Sequence, residues 1–570
     1  MKRVWCMILT IVMLLSLAAC GGNNSGNGNQ GNSGNNAGTS QSGGDTSTAA
    51  EYYNVYISAD PTSMDISRVS DSYSSTIINN VMEGLVRLGE SDGNYAMMPG
   101  DAQTWELSED GMVWTFHLGD NKWSDGEPVT AQDYVYSLQR SVDPATGCPN
   151  EWFLYPIAGY DEIRDNGASV DTLGVKAIDE KTLEITLAFP MPSFLEMLSG
   201  TIYYPLRQDK VEEYGEQYGT EPEYTVFNGP YTMTEWTHNS KIVLTKNENY
   251  WDAENISIET VNISVLSDSI TIYNAFETGD LDYVGTGEAE WIDKFYSRDD
   301  TNYVLAPTAN LGYSFYNCQD ELFQNANIRK AFTLALDRED LNEMCFSGAN
   351  IPTYGWICPA ISVGETNFRE YAGDTIQEMI DEMAAEGKTA KDYLLAGMEE
   401  LGLGDDPSTL TVTFSLAGTD DWFRTYGEYL QQVYQTELGV NLEISFNDWS
   451  IFYDDVQNGN YQIGYMSWGA YYNDPYDMLS LFYSDWDSIE TGWASAEYDQ
   501  LIDDALKEQD EAKRLELYKQ AEDILLREEC VVSPILTFTS NSFYRDYVQG
   551  YTELTFSITG YKGMSTGGRA

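Results

Sequence analysis

The sequence predicts a secreted α/β protein whose globular body begins near residue 51 and holds two or three domains. Three observations lead there. An apolar leader is followed by a low-complexity spacer, and strand-like and helix-like patterns alternate through everything after it. That remainder is about 520 residues long, too many for a single hydrophobic core.

The leader comes first. Lys2 and Arg3 precede the apolar run Val4 to Leu17, which is short for a bilayer crossing. "LAAC", Leu17 to Cys20, resembles the lipobox of bacterial lipoproteins. That resemblance implies a signal peptide over 1–20, cleavage ahead of Cys20, and a diacylglycerol on its thiol; the plain alternative is an ordinary signal peptide with a chance Cys. Two acyl chains, at about 0.8 kcal/mol per buried CH₂, suffice for stable anchoring. Residues 21–50, "GGNNSGNGNQGNSGNNAGTSQSGGDTSTAA", read as a flexible tether with an r.m.s. span of about 30 Å. The GxGxxG from Gly26 to Gly31 has no strand before it and no helix after it, so it is no dinucleotide fingerprint.

Charge and chemistry-bearing residues narrow the function. The chain has 30 basic and 91 acidic residues, a net −61, which becomes −63 once Lys2 and Arg3 leave with the signal. Such a surface repels nucleic acid. After Cys20 only Cys148, Cys318, Cys345, Cys358 and Cys530 remain, an odd and scattered set rather than a disulfide framework. Cys345 and Cys358 are the pair near enough in sequence to bridge. His117 lies in the alternating run "VWTFHL" and reads as a strand residue, and His238 lies in the polar loop "THNS". The body lacks HExxH, paired CxxC, GxSxG and a Walker loop, so no catalytic centre, metal or cofactor is expected.

The body's elements follow in order. "YYNVYIS" reads as a strand, and residues 71–88 space Ile77, Ile78, Val81, Met82 and Leu85 as a helix. "SEDGMVWTFHLGDNKWSDGEPVT" reads as turn, strand, turn. Thr130 with Asp133 then opens the helix "AQDYVYSLQRSV" with a capping-box pair. "LGVKAIDEKTLEITLAFP" has a hairpin signature, and "NGPYTMTEW" with "KIVLTKNENYW" gives a second strand pair. From "NIRKAFTLALDREDL" onward helices and strands alternate. "LTVTFSLAG" and "NLEISFND" flank one helix, and "EAKRLELYKQAEDILLREE" leads into the strand "VVSPILTF".

At this point the residues resemble the solute-binding lipoproteins of oligopeptide-type ABC importers. The markers are "EGLVRL" (83–88), "PGDAQTWELSEDGMVWTFHLGDNKWSDGEPVTAQDYVYSLQR" (99–140) and "LGVKAIDEKTLEITLAFPMPSFL" (173–195). They continue with "NGPYTM" (228–233), "KNENYWD" (246–252), "AFETGDLDY" (275–283), "IRKAFTLALDRE" (328–339) and "ELGVNLEISFNDW" (437–449). Eight such segments in family order span about residues 52 to 555. The resemblance implies a type II periplasmic-binding-protein fold: lobe I over 51–82, 203–308 and 537–570, an inserted domain over 83–202, and lobe II over 309–536. Crossing segments near 305–312 and 534–540 would form the hinge. The long motif around "WTFHLGDNKWSDGEPVT" is expected to be scaffolding rather than ligand contact.

It also implies a monomeric receptor, held outside the cytoplasmic membrane by its lipid anchor. Such a receptor captures a peptide or other small solute by lobe closure and presents it to permease subunits. The expected ligand residues are Ser70, Asp71, Ser72 and Tyr73 in "SDSY", Asn150 in "CPNEWF", and Trp468, Gly469, Ala470, Tyr471, Asn473 and Asp474 in "WGAYYNDP". Each has a plainer role: Asp71 as a helix cap, Trp468 as core, Asn473 and Asp474 as turn formers. Peptide-binding members carry an Asp where this chain has Tyr471, which pairs with the ligand's α-ammonium. Three outcomes follow: Asp474 takes the ammonium, the ligand lies in a shifted register, or the ligand has no free amino group. The last would make it a modified peptide, an oligosaccharide or a metal–chelator complex. An extracellular hydrolase using an Asp/Glu pair is the competing class.

Overall fold

The computed structural model describes residues 50–91, 94–418, 421–484, 486–487, 489–553, 555–556, 560–567 and 569. The expected signal, Cys20 and all of the tether except residue 50 lie outside the described residues. Three main sheets organise the rest. In the first, Glu51–Ile57 runs parallel to Ile258–Val265, which continues antiparallel into Lys241–Lys246 and Tyr231–Thr237. In the second, the order is Ala102–Leu107, Val113–Leu118, Thr182–Thr186, Val175–Asp179, all antiparallel. Both predicted hairpins are therefore present. His117 sits within the strand Val113–Leu118, and Trp114, Phe116, Leu118 and Trp123 of the long scaffold motif are buried in the core.

The third sheet joins the two ends of the molecule. Its order is Tyr283–Gly285, Val532–Arg545, Thr301–Tyr316, Ile463–Gly469, Thr411–Leu416, Asn441–Phe446. Thr301–Tyr316 and Val532–Arg545 are antiparallel partners through most of their length, with register breaks between Pro307 and Leu311 and between Gly312 and Tyr313. These breaks coincide with a change of surroundings. One apolar core gathers residues from 53–263 and 548–564, and a second gathers 311–536. A smaller one forms around Ile272, Phe276, Phe295 and Phe543. Two lobes thus hang on one pair of strands, each about 3.3 Å long per residue and so able to run through both.

Local chemistry sets the element ends. Asp133 accepts hydrogen bonds from Thr130 N (2.8 Å) and Thr130 Oγ1 (3.0 Å) at the start of Ala131–Val142. The first helix is shorter than its apolar spacing predicts: it covers Ser72–Val81 and ends at Met82, and Leu85 leads into the next strand. Met82 is already extended, and at Gly84 the chain passes so near Tyr204 that a Cβ would lie 2.5 Å from its ring. His238 is more than a loop residue, since its ring nitrogens lie 2.7 Å from Asp60 Oδ2 and 3.2 Å from Glu221 Oε1. Cys345 and Cys358, whose pairing the sequence leaves open, are not bridged; all five body cysteines are free. Among the described residues no helix is long and apolar enough to cross a membrane, and no group of acids, His and Cys has metal-site geometry.

Candidate functional site

In the second lobe, Thr411–Leu416 lies between two parallel neighbours, Asn441–Phe446 on one side and Ile463–Gly469 on the other. Their connecting helices, Asp421–Glu437 and Trp449–Gln457, therefore leave in opposite directions. The carboxyl ends of strands at such a reversal are the usual ligand position in α/β sheets. The residues at these carboxyl ends are aromatic. Trp422 and Phe423 begin one helix, Trp449 begins the next, Phe446 ends a strand, and Trp468 with Tyr471 ends the third. Phe446 and Tyr471 are exposed, at 38% and 41%.

The "WGAYYNDP" turn is fixed to the hinge by its backbone. Gly469 pairs with Asn310, and Ala470 N donates to Ala309 O (3.0 Å). A side chain at Gly469 would meet the Asn310 amide, which would have to turn aside. Tyr471 then projects from the hinge corner. Its ring meets Trp152 and Phe153 edge-on, each with centroids 5.5 Å away, and Trp468 at 5.9 Å. Phe153 packs against the first core and Trp468 against the second, so this cluster joins the two. Asn150 lies beside it and donates through Nδ2 to Val69 O (2.9 Å), tying the "SDSY" loop to the same wall. Ser70 and Ser72 are exposed and Tyr73 is half-buried.

The expected residues separate under this geometry. Trp468 and Tyr471 belong to this aromatic cluster, Gly469 and Ala470 form its backbone against the hinge strand, and Asn150 links it to Val69, beside Ser70, Ser72 and Tyr73 in sequence. Asp71 serves as helix cap: its carboxylate accepts from Ser74 N (2.7 Å) and Thr62 Oγ1 (2.5 Å). Asn473 is buried with Oδ1 accepting from Ser362 N (2.8 Å). Asp474 is fully buried; it caps Pro475–Leu479, accepts from Tyr518 Oη (2.7 Å), and lies 3.5 Å from Arg514. Both residues take up the turn-and-cap role read beside the ligand role in the sequence. An Asp before Pro at a helix start is a cap signal already present in the sequence. Trp152, Phe153, Trp422, Phe446 and Trp449 were not singled out from sequence, although Trp152 and Phe153 follow Asn150 by only two and three positions.

Electrostatics at the Tyr471 end are unusual. Tyr471 N donates to Asp477 Oδ2 (2.9 Å) behind the wall. Burial pushes the Asp477 carboxyl up to about 8; the Tyr471 N–H opposes this and the neighbouring Asp474 charge adds to it. Burial and the nearby Asp477 also push the Tyr471 phenol up to about 12. The Tyr471 end of this face is thus aromatic, with the Asp477 carboxyl behind it held toward its neutral form. Trp468 Nε1 is buried with no hydrogen-bond partner.

Residues 96–489 match the family model described as "Bacterial extracellular solute-binding proteins, family 5 Middle". The chain is 31% identical over 556 residues to the oligopeptide-binding protein OppA of Bacillus subtilis, covering 96% of this chain and 97% of that protein. Among solved structures it resembles the murein tripeptide-binding protein MppA in its unliganded open form (TM-score 0.77, 26% identity, 91% of this chain and 97% of that one). Listeria monocytogenes OppA bound to peptide is also similar (TM-score 0.67, 27% identity, 91% and 99% covered). Members of this family are binding proteins with the two-lobe type II fold, and the chain belongs to the bacterial extracellular solute-binding proteins of family 5.

Proposed function

We propose that this chain is the extracytoplasmic receptor of an ABC importer and captures peptides between its lobes without chemical change. The observation that carries the reading is the aromatic cluster of Tyr471, Trp468, Trp152 and Phe153 beside the paired strands Thr301–Tyr316 and Val532–Arg545. The peptide class follows from relatives whose ligands are oligopeptides. In this reading lobe I is 51–82, 203–308 and 537–570, the inserted domain is 83–202, and lobe II is 309–536. Cys20 carries the lipid anchor, and a monomer docks on permease subunits. The better superposition on an open form than on a peptide-bound one supports an open resting state.

A second reading concerns the ligand's end. An ammonium held against Tyr471 would find no ionised carboxylate, and a buried charge lacking its partner costs about 3–5 kcal/mol. This favours a ligand that is acyl-capped, or otherwise uncharged, at that end. Native mass spectrometry of the purified protein, challenged with matched peptides bearing free or acetylated N-termini, tests both readings. The expected result is retained peptide with no preference for the free amine. A strong preference for free amines would overturn the uncharged-end reading. A bound sugar or chelate, with no peptide retained, would overturn the peptide reading, and turnover of peptide would overturn the receptor role.

A further inference from the structure

Outside the aromatic cluster, the second histidine of the chain sits where three segments meet. His238 lies in the turn of the hairpin formed by Tyr231–Thr237 and Lys241–Lys246. Its Nδ1 is 2.7 Å from Asp60 Oδ2, in the loop that follows the first strand. Its Nε2 is 3.2 Å from Glu221 Oε1, in the segment 215–225. The ring packs on Trp236 with centroids 4.4 Å apart, and Trp236 Nε1 donates to the other Asp60 oxygen (3.1 Å). Met64 N donates to Gly219 O (2.7 Å), so the two loops also meet through their backbones.

Ionised carboxylates only accept hydrogen bonds, whereas a neutral imidazole has one donor nitrogen and one acceptor. A ring with a carboxylate at each nitrogen satisfies both only as imidazolium, with two N–H donors. The neutral ring keeps one bond and sets a lone pair against the other carboxylate. Asp60 and Glu221 are the charged groups that face the ring. Lys241 and Glu235 of the same hairpin pair with each other (3.1 Å). From Asp60 the chain leads to the "SDSY" loop. Two residues on, Thr62 N donates to Ser74 Oγ (2.9 Å) and Thr62 Oγ1 donates to Asp71 Oδ2 (2.5 Å). Asp71 in turn caps the helix Ser72–Val81, between the exposed Ser70 and Ser72.

We propose that His238 is a protonated clasp and a positioning residue for the "SDSY" loop. Its imidazolium ties Asp60 to Glu221 and so fixes the chain that leads to Ser70 and Tyr73; loss of one proton frees one of the two carboxylates. The Asp60 hydrogen bond raises the imidazole above its ordinary pKa, partial burial opposes this, and the Glu221 bond adds to it. The folded ring therefore holds its proton more tightly than the unfolded chain does. The clasp is complete below the ordinary imidazole value of about 6.5 and is lost as pH rises through the raised one. The side chain is 46% exposed, so solvent screens both pairs. That limits the effect to about fivefold in the local opening equilibrium. The inference rests on the receptor reading only in giving this loop to the ligand.

NMR of the purified protein labelled at histidine alone tests the clasp, because two histidines give two imidazole signals and H238Q assigns them. His238 is expected to show both ring nitrogens protonated at about pH 7 and to titrate above about 6.5. A single protonated nitrogen at that pH, or titration at or below the ordinary value, overturns the clasp. Hydrogen–deuterium exchange over residues 60–75, read by mass spectrometry with variants compared at equal pH, tests the positioning. H238Q is expected to exchange up to about fivefold faster than wild type at about pH 6. The gap is expected to close by about pH 9, as the wild-type ring loses its proton. H238R, charged throughout, is expected to keep the protection at both. Equal exchange in wild type and H238Q at acid pH, or a gap that persists unchanged at alkaline pH, overturns the positioning role. Neither readout involves a ligand, so the clasp and the peptide reading fail separately.

Discussion

Asn228, in the "NGPYTM" segment, shows what a motif residue does in this fold. Its Oδ1 accepts from Glu83 N (3.0 Å), and its Nδ2 donates to Glu83 O (2.9 Å) and to Asp101 Oδ2 (2.8 Å). All three partners are buried, and Asp101 also takes the Tyr134 hydroxyl (2.7 Å). One carboxamide thus joins three motif segments that lie far apart in sequence. N228A would leave a backbone N–H, a carbonyl and a carboxylate short of partners, each worth about 1–3 kcal/mol. Urea denaturation is expected to show a loss of at least about 2 kcal/mol, and a midpoint within error of wild type would refute this account. The site was only partly legible at this scale. Tyr471 and Asn150 stood out because they fall in family segments. Trp152 and Phe153 acquire their meaning only by touching Tyr471, a contact that no local pattern encodes. Asp474 takes the cap role that the Asp-Pro pair beside it signals.

The two hinge strands are where element-scale reasoning has most to explain. Thr301–Tyr316 and Val532–Arg545 each serve both lobes, and their register breaks within a few residues at Pro307 to Tyr313. The sequence indicated crossings near 305–312 and 534–540, but not that each crossing continues as one long strand. Strand length is set by the partners available, here Tyr283–Gly285 at one end and Ile463–Gly469 at the other. Hairpins and amphipathic helices, whose partners are local, were readable from periodicity alone. At the break, Gly312 packs so that a Cβ would lie 2.6 Å from Tyr465 Oη and 3.4 Å from Cζ. G312A is therefore expected to destabilise by about 1–3 kcal/mol through overpacking. Y465F removes the colliding oxygen, so G312A/Y465F is expected to recover most of the loss relative to Y465F alone. Thermal melts of the four proteins form a double-mutant cycle; an additive cycle would place the cost in the strand backbone instead.

At the scale of the whole molecule, a net charge of −61 must be reconciled with a fold that brings three large bodies of chain together. Several of the scarce arginines are committed to the interior. Arg369 binds Glu522 (2.6 Å), Arg140 binds Asp65 (2.6 Å), and Arg329 and Arg338 are spent on backbone carbonyls inside the second lobe. What remains outside is strongly anionic, and surface charges interact over a Debye length of about 10 Å at 0.1 M salt. Self-repulsion of this kind weakens the compact state, whereas buried pairs are screened much less. Salt should therefore remove the unfavourable term and leave the favourable one. The melting temperature is expected to rise between about 10 mM and about 200 mM NaCl, by about 2–4 °C per kcal/mol relieved in a lobe of this size. Differential scanning calorimetry at constant pH checks the direction. A melting temperature that falls with salt would mean that surface ion pairs, not internal ones, hold the lobes together.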